Sequence, residues 1–289
     1  MDFSYDIGWL PNRIKSNAIF KIFKSAGINT ISYNFYCINN LSDILDLANY
    51  INNAKVIKES LKENGIICNQ TYSPYSLKLC DERLNRFEEN YGELVRALEF
   101  SAIIGAKRMV VYAVQVPPEA DGLEKNHKIY KSLIPYCEKF GIEIAVCSDF
   151  PKYMKSSVFK TPWATVKEYT DFISSFNSQY IGACLDLCSA ASFDISPEEC
   201  IRSVGVSYLK SIHFKDAEKY RDIHLPSFSE QFNFKRIREE LEKIGYSGEL
   251  TFECPSFLKK YPNELLEPLC NLFADIGYFV TGRLKGEKG

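Results

Sequence analysis

The chain has almost no net charge, no long apolar run and few histidines. Its 35 lysines and arginines against 37 aspartates and glutamates give a formal charge of -2, which excludes a global electrostatic attraction to nucleic acid or an anionic membrane. No apolar run approaches the ~18 residues of a membrane span, and the first residues, MDFSYDIGWLPNRIK, are acidic where a signal peptide is basic. We therefore expect a cytoplasmic protein without a membrane partner.

The sequence also lacks a CxxC cysteine pair and a phosphate-binding glycine motif. Its 10 cysteines are scattered through apolar segments such as IGACLDLC, and none are in CxxC spacing, so we expect reduced, buried thiols and no structural zinc ribbon. No Gly-rich motif follows the first apolar run, where DIGWLPN stands, which disfavours a dinucleotide-binding fold.

Eight short runs of β-branched and aromatic residues alternate with segments of helical period, and several of those segments end in a glycine, as in EKFG at 138–141. We predict strands at 3–7, 30–35, 66–70, 108–113, 143–148, 181–187, 208–214 and 249–254. We predict helices at 11–26, 42–63, 83–104, 122–139, 163–176, 197–204, 232–243 and 262–280. Without a composition break, this order predicts a single-domain (β/α)8 TIM barrel over 1–289, with 283–289 as a solvated tail.

In such a barrel, functional side chains come from the carboxyl ends of the strands and from the loops that follow. The predicted strands deliver polar groups there: Asp6, then Cys147, Ser148 and Asp149, then Asp186, then His213 and Asp216, and finally Glu253. One rim of the barrel is therefore the expected site.

Three of these residues, Asp186, His213 and Glu253, together indicate a metal site. Glu253 follows Leu-Thr-Phe on a strand expected to be buried on both faces, and a buried carboxylate is costly unless it is paired or bound to a cation. Individually, Glu253 could form a salt bridge, Asp186 could cap the following turn, and His213 could be a core histidine. Two carboxylates and an imidazole suit Mn²⁺, Mg²⁺, Co²⁺ or Zn²⁺.

The segments GACLDLCSAASFDISPEECIRSVGVSYLKSIHFKDAEKYRDIHLP and FNFKRIREELEKIGYSGELTFE resemble the second half of the xylose isomerase-like TIM barrels. That family includes ketose 3-epimerases, inosose dehydratases, hydroxypyruvate isomerases and endonuclease IV. The resemblance implies that Asp186, His213 and Glu253 are three of four metal ligands. It also implies that Glu253 takes part in proton transfer.

The fourth ligand in the resembled pattern is a glutamate at the end of strand five, where this sequence has Cys147. Three alternatives follow. Cys147 could ligate as a thiolate, which favours Zn²⁺; Asp149 could reach inward as a ligand or catalytic acid; or the site holds no metal and the barrel has lost or changed its catalytic role.

Other positions also depart from the resembled pattern. Ser189 stands at a histidine position of strand six, Tyr72 at one of strand three, and PSFSEQF replaces a glycine-rich loop. Asp222 and His224 keep the Asp-x-His spacing of endonuclease IV, but the other histidines of its zinc cluster are missing. Cleavage of DNA is therefore disfavoured.

Several residues near the predicted rim could contact a small polyol. Lys215 and Arg221 could bind a phosphate or carboxylate, His224 lies in the same loop, and Trp9, Tyr36 and Tyr72 could pack on sugar faces. The first hypothesis is a metal-assisted isomerase or epimerase of a small sugar or polyol. The alternatives are a barrel that binds a sugar-like ligand or a partner without turnover and, less favoured, a metal-dependent phosphodiesterase; a homo-oligomer stays open.

Overall fold

The computed structural model describes residues 1–74, 87–114, 121–148, 150, 162–192, 195–218, 221–225 and 233–284. At 87, 192, 217–218, 221–225 and 255–256 the description covers the backbone alone. Asp149, the loop PSFSEQF and the last five residues of the predicted tail lie outside these ranges. None of the described helices is long and apolar enough to cross a membrane.

Eight parallel strands close into a barrel, which confirms the predicted fold. Around the barrel they follow the order β1, β10, β7, β6, β5, β4, β3 and β2. The strands are β1 (Asp2–Asp6), β2 (Thr30–Asn34), β3 (Ile67–Tyr72), β4 (Arg108–Val111), β5 (Glu143–Cys147), β6 (Ile181–Asp186), β7 (Leu209–Phe214) and β10 (Glu249–Phe252).

The helices lie between successive strands, outside the barrel. They are α1 (Ser16–Ala26), α2 (Leu41–Ile44), α3 (Tyr50–Glu63), α4 (Phe87–Ile103), α5 (Gly122–Phe140), α6 (Val166–Ser174), α7 (Leu187–Ser192), α8 (Pro197–Tyr208), α9 (Phe234–Lys243), α10 (Pro255–Leu258) and α11 (Leu266–Thr281). Helix α6 begins at a capping box in which Thr165 and Glu168 satisfy each other's backbone N–H groups. Helix α5 ends at Gly141, whose φ of 67° is in the left-handed region that glycine adopts without strain.

Several of the predicted helices differ in extent from those in the structure, and two differ most. The segment predicted as a helix at 42–63 forms two helices, α2 and α3, and α1 begins at Ser16 rather than residue 11. Before α1, the residues Leu10–Asn12 form a 3-10 turn. Pro11 lies inside that turn, where the fixed φ and missing N–H of proline are tolerated.

The segment after β7 forms an antiparallel ribbon, where the sequence predicted only a loop. Strands β8 (Asp216–Glu218) and β9 (Arg221–Leu225) pair with each other. The ribbon contacts α7 and α10, which follow β6 and β10. It therefore lies at the carboxyl ends of the barrel strands, where the candidate site is expected.

The outer face of β1 packs on α11 through aromatic rings. The ring of Tyr5 stacks on Phe273 with centroids 5.4 Å apart, and its hydroxyl donates to the backbone carbonyl of the same residue. Inside the barrel, Ser4 and Thr251 share a hydrogen bond of 2.8 Å, and Asn69 donates to Ser4. This part of the interior therefore holds neutral polar side chains that hydrogen-bond to one another, whereas the buried carboxylates lie at the carboxyl ends of the strands.

Candidate functional site

Three neighbouring strands bring Asp186, His213 and Glu253 together at the carboxyl end of the barrel. Strands β6, β7 and β10 are adjacent, and Asp186 lies directly beside His213 in their register. Glu253 follows β10, and its backbone N–H donates to the carbonyl of Phe214. One donor atom from each of the three side chains lies within 4.8 Å of the other two, and all three residues are buried.

The ammonium group of Lys215 lies between two of these side chains. Its Nζ donates to Asp186 Oδ2 at 2.9 Å and also contacts Glu253 Oε2. The side chain of Lys215 is 2% exposed. The lysine predicted to meet a substrate anion is therefore engaged inside the barrel by two carboxylates, which makes the burial of all three charges tolerable.

Asp186 uses its two oxygens for different purposes. Its Oδ1 accepts the backbone N–H of Ser189 at 2.9 Å, which caps the turn into α7, while Oδ2 faces Lys215. The backbone N–H of Asp186 donates to Ser148 Oγ at 3.0 Å. Ser189, at the histidine position of the resembled pattern, accepts the N–H of Phe150 through its hydroxyl. Asp186 therefore both caps the turn into α7 and belongs to the candidate site, two roles that the sequence left as alternatives.

His213 is fully buried and surrounded by polar groups. Its Nδ1 lies 3.5 Å from Glu253 Oε1, and its Nε2 lies 3.3 Å from Gln70 Nε2. The side-chain oxygen of Gln70, Oε1, accepts a hydrogen bond from the Ser211 hydroxyl. Burial lowers the pKa of His213, but the Glu253 carboxylate, Cys147 and Asp186 together outweigh burial and raise it to about 9. The acidic groups around His213 therefore favour its protonated form more than burial disfavours it.

The end of β5 contributes a thiol rather than a carboxylate. Cys147, Cys184 and His213 form a second buried group whose donor atoms lie within 4.8 Å of one another. The hydrogen bond with Cys184 and burial raise the pKa of the Cys147 thiol. Cys147 therefore lies next to His213 but is grouped with Cys184 and not with Asp186 and Glu253. Asp149 lies outside the described residues.

Sequence reasoning missed part of the rim. Gln70 and Tyr112 were not proposed as site residues, and Asp6 was noted only as the end of a strand. The signal for Gln70 was its position two residues before Tyr72 on a buried strand, which places both side chains on one face. Asp6 accepts from Gly8 N–H and Asn34 Nδ2, both at 2.8 Å. Burial and the Glu253 charge raise the pKa of Asp6 to about 7.

The predicted substrate contacts fall in different places. The ring of Tyr72 lies 5.0 Å from the His213 ring, and its buried hydroxyl has no hydrogen-bond partner among the described residues. Trp9 lies under the ammonium of Lys259, 4.2 Å from the ring centroid, and Tyr36 is half exposed. The side chains of three further residues, Arg221, Asp222 and His224, lie outside the described part of the ribbon.

A divalent cation fits the first group of donors. Carboxylate, carboxylate and imidazole suit Mn²⁺, Mg²⁺, Co²⁺ or Zn²⁺. The buried Nδ1 of His213 has no hydrogen-bond partner within the described residues, as expected for a nitrogen that can ligate. A cation, the Lys215 ammonium, already lies against two of the three donors. Asp186, His213 and Glu253 are therefore the residues that would hold an ion.

The chain is similar to proteins of one family. The family model of the xylose isomerase-like TIM barrel matches residues 20–272. A crystal structure of a D-psicose 3-epimerase in the presence of D-fructose has a TM-score of 0.74 at 16% sequence identity, covering 98% of this chain and 100% of that one. A D-tagatose 3-epimerase-like protein has a TM-score of 0.72 at 16% identity, covering 98% of both chains.

A third similar structure is the IOLI protein with a bound zinc atom, which has a TM-score of 0.72 at 13% identity and covers 98% of both chains. At these identities the structural similarities establish a common fold. A comparison with curated protein sequences finds no significant match.

Proposed function

Because the chain belongs to the xylose isomerase-like TIM barrel family, we propose that it is an isomerase or epimerase that moves a proton next to the carbonyl of a small sugar or polyol. The observation that carries the proposal is the group of Asp186, His213 and Glu253, whose donor atoms lie within 4.8 Å of one another at the carboxyl rim. In a TIM barrel this rim is where catalytic groups are found.

Glu253 is the proposed base. Its carboxylate is buried and held from two sides, by Lys215 at Oε2 and by His213 near Oε1, so its orientation is fixed. It would take the proton from the carbon beside the carbonyl. Return of that proton to the former carbonyl carbon, with one proton moved from the hydroxyl oxygen to the carbonyl oxygen, isomerises the sugar, whereas protonation of the same carbon from the opposite face epimerises it. When bound, a divalent ion at Asp186, His213 and Glu253 would stabilise the negative charge that develops on the substrate oxygens.

The carbon and the face of the substrate that receive the proton decide whether the enzyme is an isomerase or an epimerase. Epimerisation at one carbon needs a second acid on the opposite face of the substrate, and we propose Asp149, which follows β5, for this role. The strand-five position itself holds Cys147, a thiol whose raised pKa favours the protonated form, which cannot accept a proton from the substrate. Without Asp149, the same site would favour isomerisation.

The substrate is proposed to be a short polyhydroxy ketone. The Tyr72 hydroxyl is buried beside His213 without a hydrogen-bond partner among the described residues, so it is available to a substrate hydroxyl. Trp9 and Tyr36 are rim aromatics that could cover a sugar face. The similar D-psicose 3-epimerase was crystallised with D-fructose, which makes ketohexoses the first compounds to test.

The test is proton exchange measured by NMR. Protein purified without chelator is analysed for metal, then incubated with a panel of ketoses in D₂O, and deuterium incorporation is followed. We expect incorporation by wild type and a loss of roughly 10²-fold or more in Glu253→Gln. Glu249→Gln is the matched control, since Glu249 begins β10, the strand that Glu253 follows, and pairs with Arg108 at the opposite end of that strand. No incorporation by wild type, or full activity of Glu253→Gln, refutes the proposal.

The alternative is a barrel that binds a sugar-like ligand without turnover. Cys147 at the end of β5 and the ammonium of Lys215 between the two carboxylates favour it, because both depart from a four-ligand metal site. Saturable binding of a ketose by calorimetry, without deuterium incorporation at any added metal, would support this alternative. The predicted cytoplasmic location and homo-oligomeric state stay predictions.

A further inference from the structure

Lys215 contacts one oxygen of each carboxylate in the candidate ion site. Asp186 Oδ1 accepts the backbone N–H of Ser189, while Oδ2 faces Lys215 Nζ at 2.9 Å. Lys215 Nζ also contacts Glu253 Oε2. An ion bound through Asp186 Oδ2 and Glu253 Oε2 would displace the ammonium from both.

The charges of Asp186, Glu253 and Lys215 also indicate that an ion and the ammonium exclude each other. Counted without His213, the two carboxylates and the Lys215 ammonium carry a net charge of about -1 in a buried place. Adding a divalent ion while Lys215 stays would change this to about +1, with His213 alongside. Replacing the ammonium by the ion avoids placing two cations against one pair of carboxylates.

We propose that Lys215 is an internal counter-cation that competes with a divalent ion for Asp186 and Glu253. The inference rests on the ion site of the proposed function and adds a residue that sets its affinity. In the absence of an ion, Lys215 holds the two carboxylates together. When an ion binds, the long, flexible lysine stem lets the ammonium move off the carboxylates while its backbone stays between β7 and β8. The wild-type site is thus a weak and exchangeable ion site.

The experiment measures binding of the metal alone by calorimetry, with Co²⁺ and Zn²⁺ added to chelator-treated protein. Lys215→Met removes the competing charge and leaves two carboxylates for the ion, so we expect its affinity to exceed that of wild type by about 10-fold or more. Lys215→Arg keeps a cation and should bind no more tightly than wild type. Lys210→Met is the matched control, because Lys210 is on β7, the strand that Lys215 directly follows, and lies 2.6 Å from Glu143 at the other end of the barrel.

Thermal unfolding gives a second readout that does not depend on activity. Without an ion, Lys215→Met should unfold at a lower temperature than wild type, and Zn²⁺ should raise its Tm more than it raises that of wild type. A variant that folds only with Zn²⁺ present supports the competition.

Equal and tight binding by wild type and Lys215→Met overturns the competition while leaving the proposed function intact. Binding by neither protein overturns the ion site itself. Absence of ketose turnover, by contrast, has no bearing on the relative affinities, so the two proposals fail separately.

Discussion

Asp6→Asn should stabilise the protein, and the gain should grow with pH. Burial and the charge of Glu253 raise the pKa of Asp6 from 3.8 to about 7. The folded state therefore holds the Asp6 proton more tightly than the unfolded state does. Between about pH 4 and about pH 7, Asp6 of the wild-type protein is ionised in the unfolded state but protonated in the folded state. The free energy of unfolding of the wild type therefore falls as the pH rises through this range. Below pH 4 the residue is neutral in both states and has no effect.

The expected change in the free energy of unfolding follows from the pKa shift of Asp6. About three pKa units at 1.36 kcal/mol each correspond to ~4 kcal/mol at pH 8, and ~1.7 kcal/mol of this is already present at pH 5. The amide of the variant does not carry the charge. Its oxygen can still accept from Gly8, and a flip of the Asn34 amide can turn Oδ1, which lacks a partner among the described residues, toward the new NH₂ group. The hydrogen bonds of the site are thereby kept.

The assay is urea unfolding of wild type and Asp6→Asn in chelator at pH 5 and pH 8. We expect the difference between the two proteins to increase by roughly 2.5 kcal/mol between these pH values. Asp171→Asn is the control, since Asp171 lies on the exposed side of α6 beside Lys167, and its effect should be similar at both pH values. A pH-independent difference for Asp6→Asn would show that Asp6 is ionised without penalty in the folded state.

Three further variants test the packing and the ligand set. Gly182→Ala should lower the free energy of unfolding by about 1–3 kcal/mol, measured in urea, because a Cβ there would lie 2.6 Å from the Tyr208 carbonyl. Tyr169→Phe should cost about 1–3 kcal/mol in the same assay, because the buried hydroxyl donates to Val146 O at 2.6 Å; a smaller effect than that of Tyr91→Phe would contradict this. Cys147→Ser should change Co²⁺ affinity less than about threefold, as Cys147 is grouped with Cys184; a loss above tenfold, with loss of a thiolate absorption band, would make it a ligand.

The barrel could be predicted from the sequence because its signals are local. Each of the eight predicted strands is a short buried run, and glycines such as Gly141 end helices through a left-handed conformation that other residues avoid. The break between α2 and α3 was missed because apolar residues continue at helical spacing across it. The ribbon β8–β9 was missed because β8 is only three residues long and the segment DAEKYRDIHL is rich in charged residues, unlike the apolar barrel strands.

The candidate site could be predicted in part. Asp186, His213 and Glu253 were predictable because buried polar residues at the ends of successive parallel strands must meet at one rim. The position of Lys215 was not, since a lysine after a strand end is usually solvated, and its contacts depend on side-chain conformation. Gln70 and Asn34 were missed because an amide in a buried strand does not reveal its partner until the neighbouring strands are placed.

Lys215 is the single residue between the end of β7 and the start of β8. A junction of one residue cannot absorb a rotation of the ribbon without turning its own Cα–Cβ bond. The ribbon at the mouth of the barrel and the carboxylate pair at its rim are therefore joined through one residue. A substitution at Lys215 changes both the charge beside Asp186 and Glu253 and the backbone that leads into the ribbon.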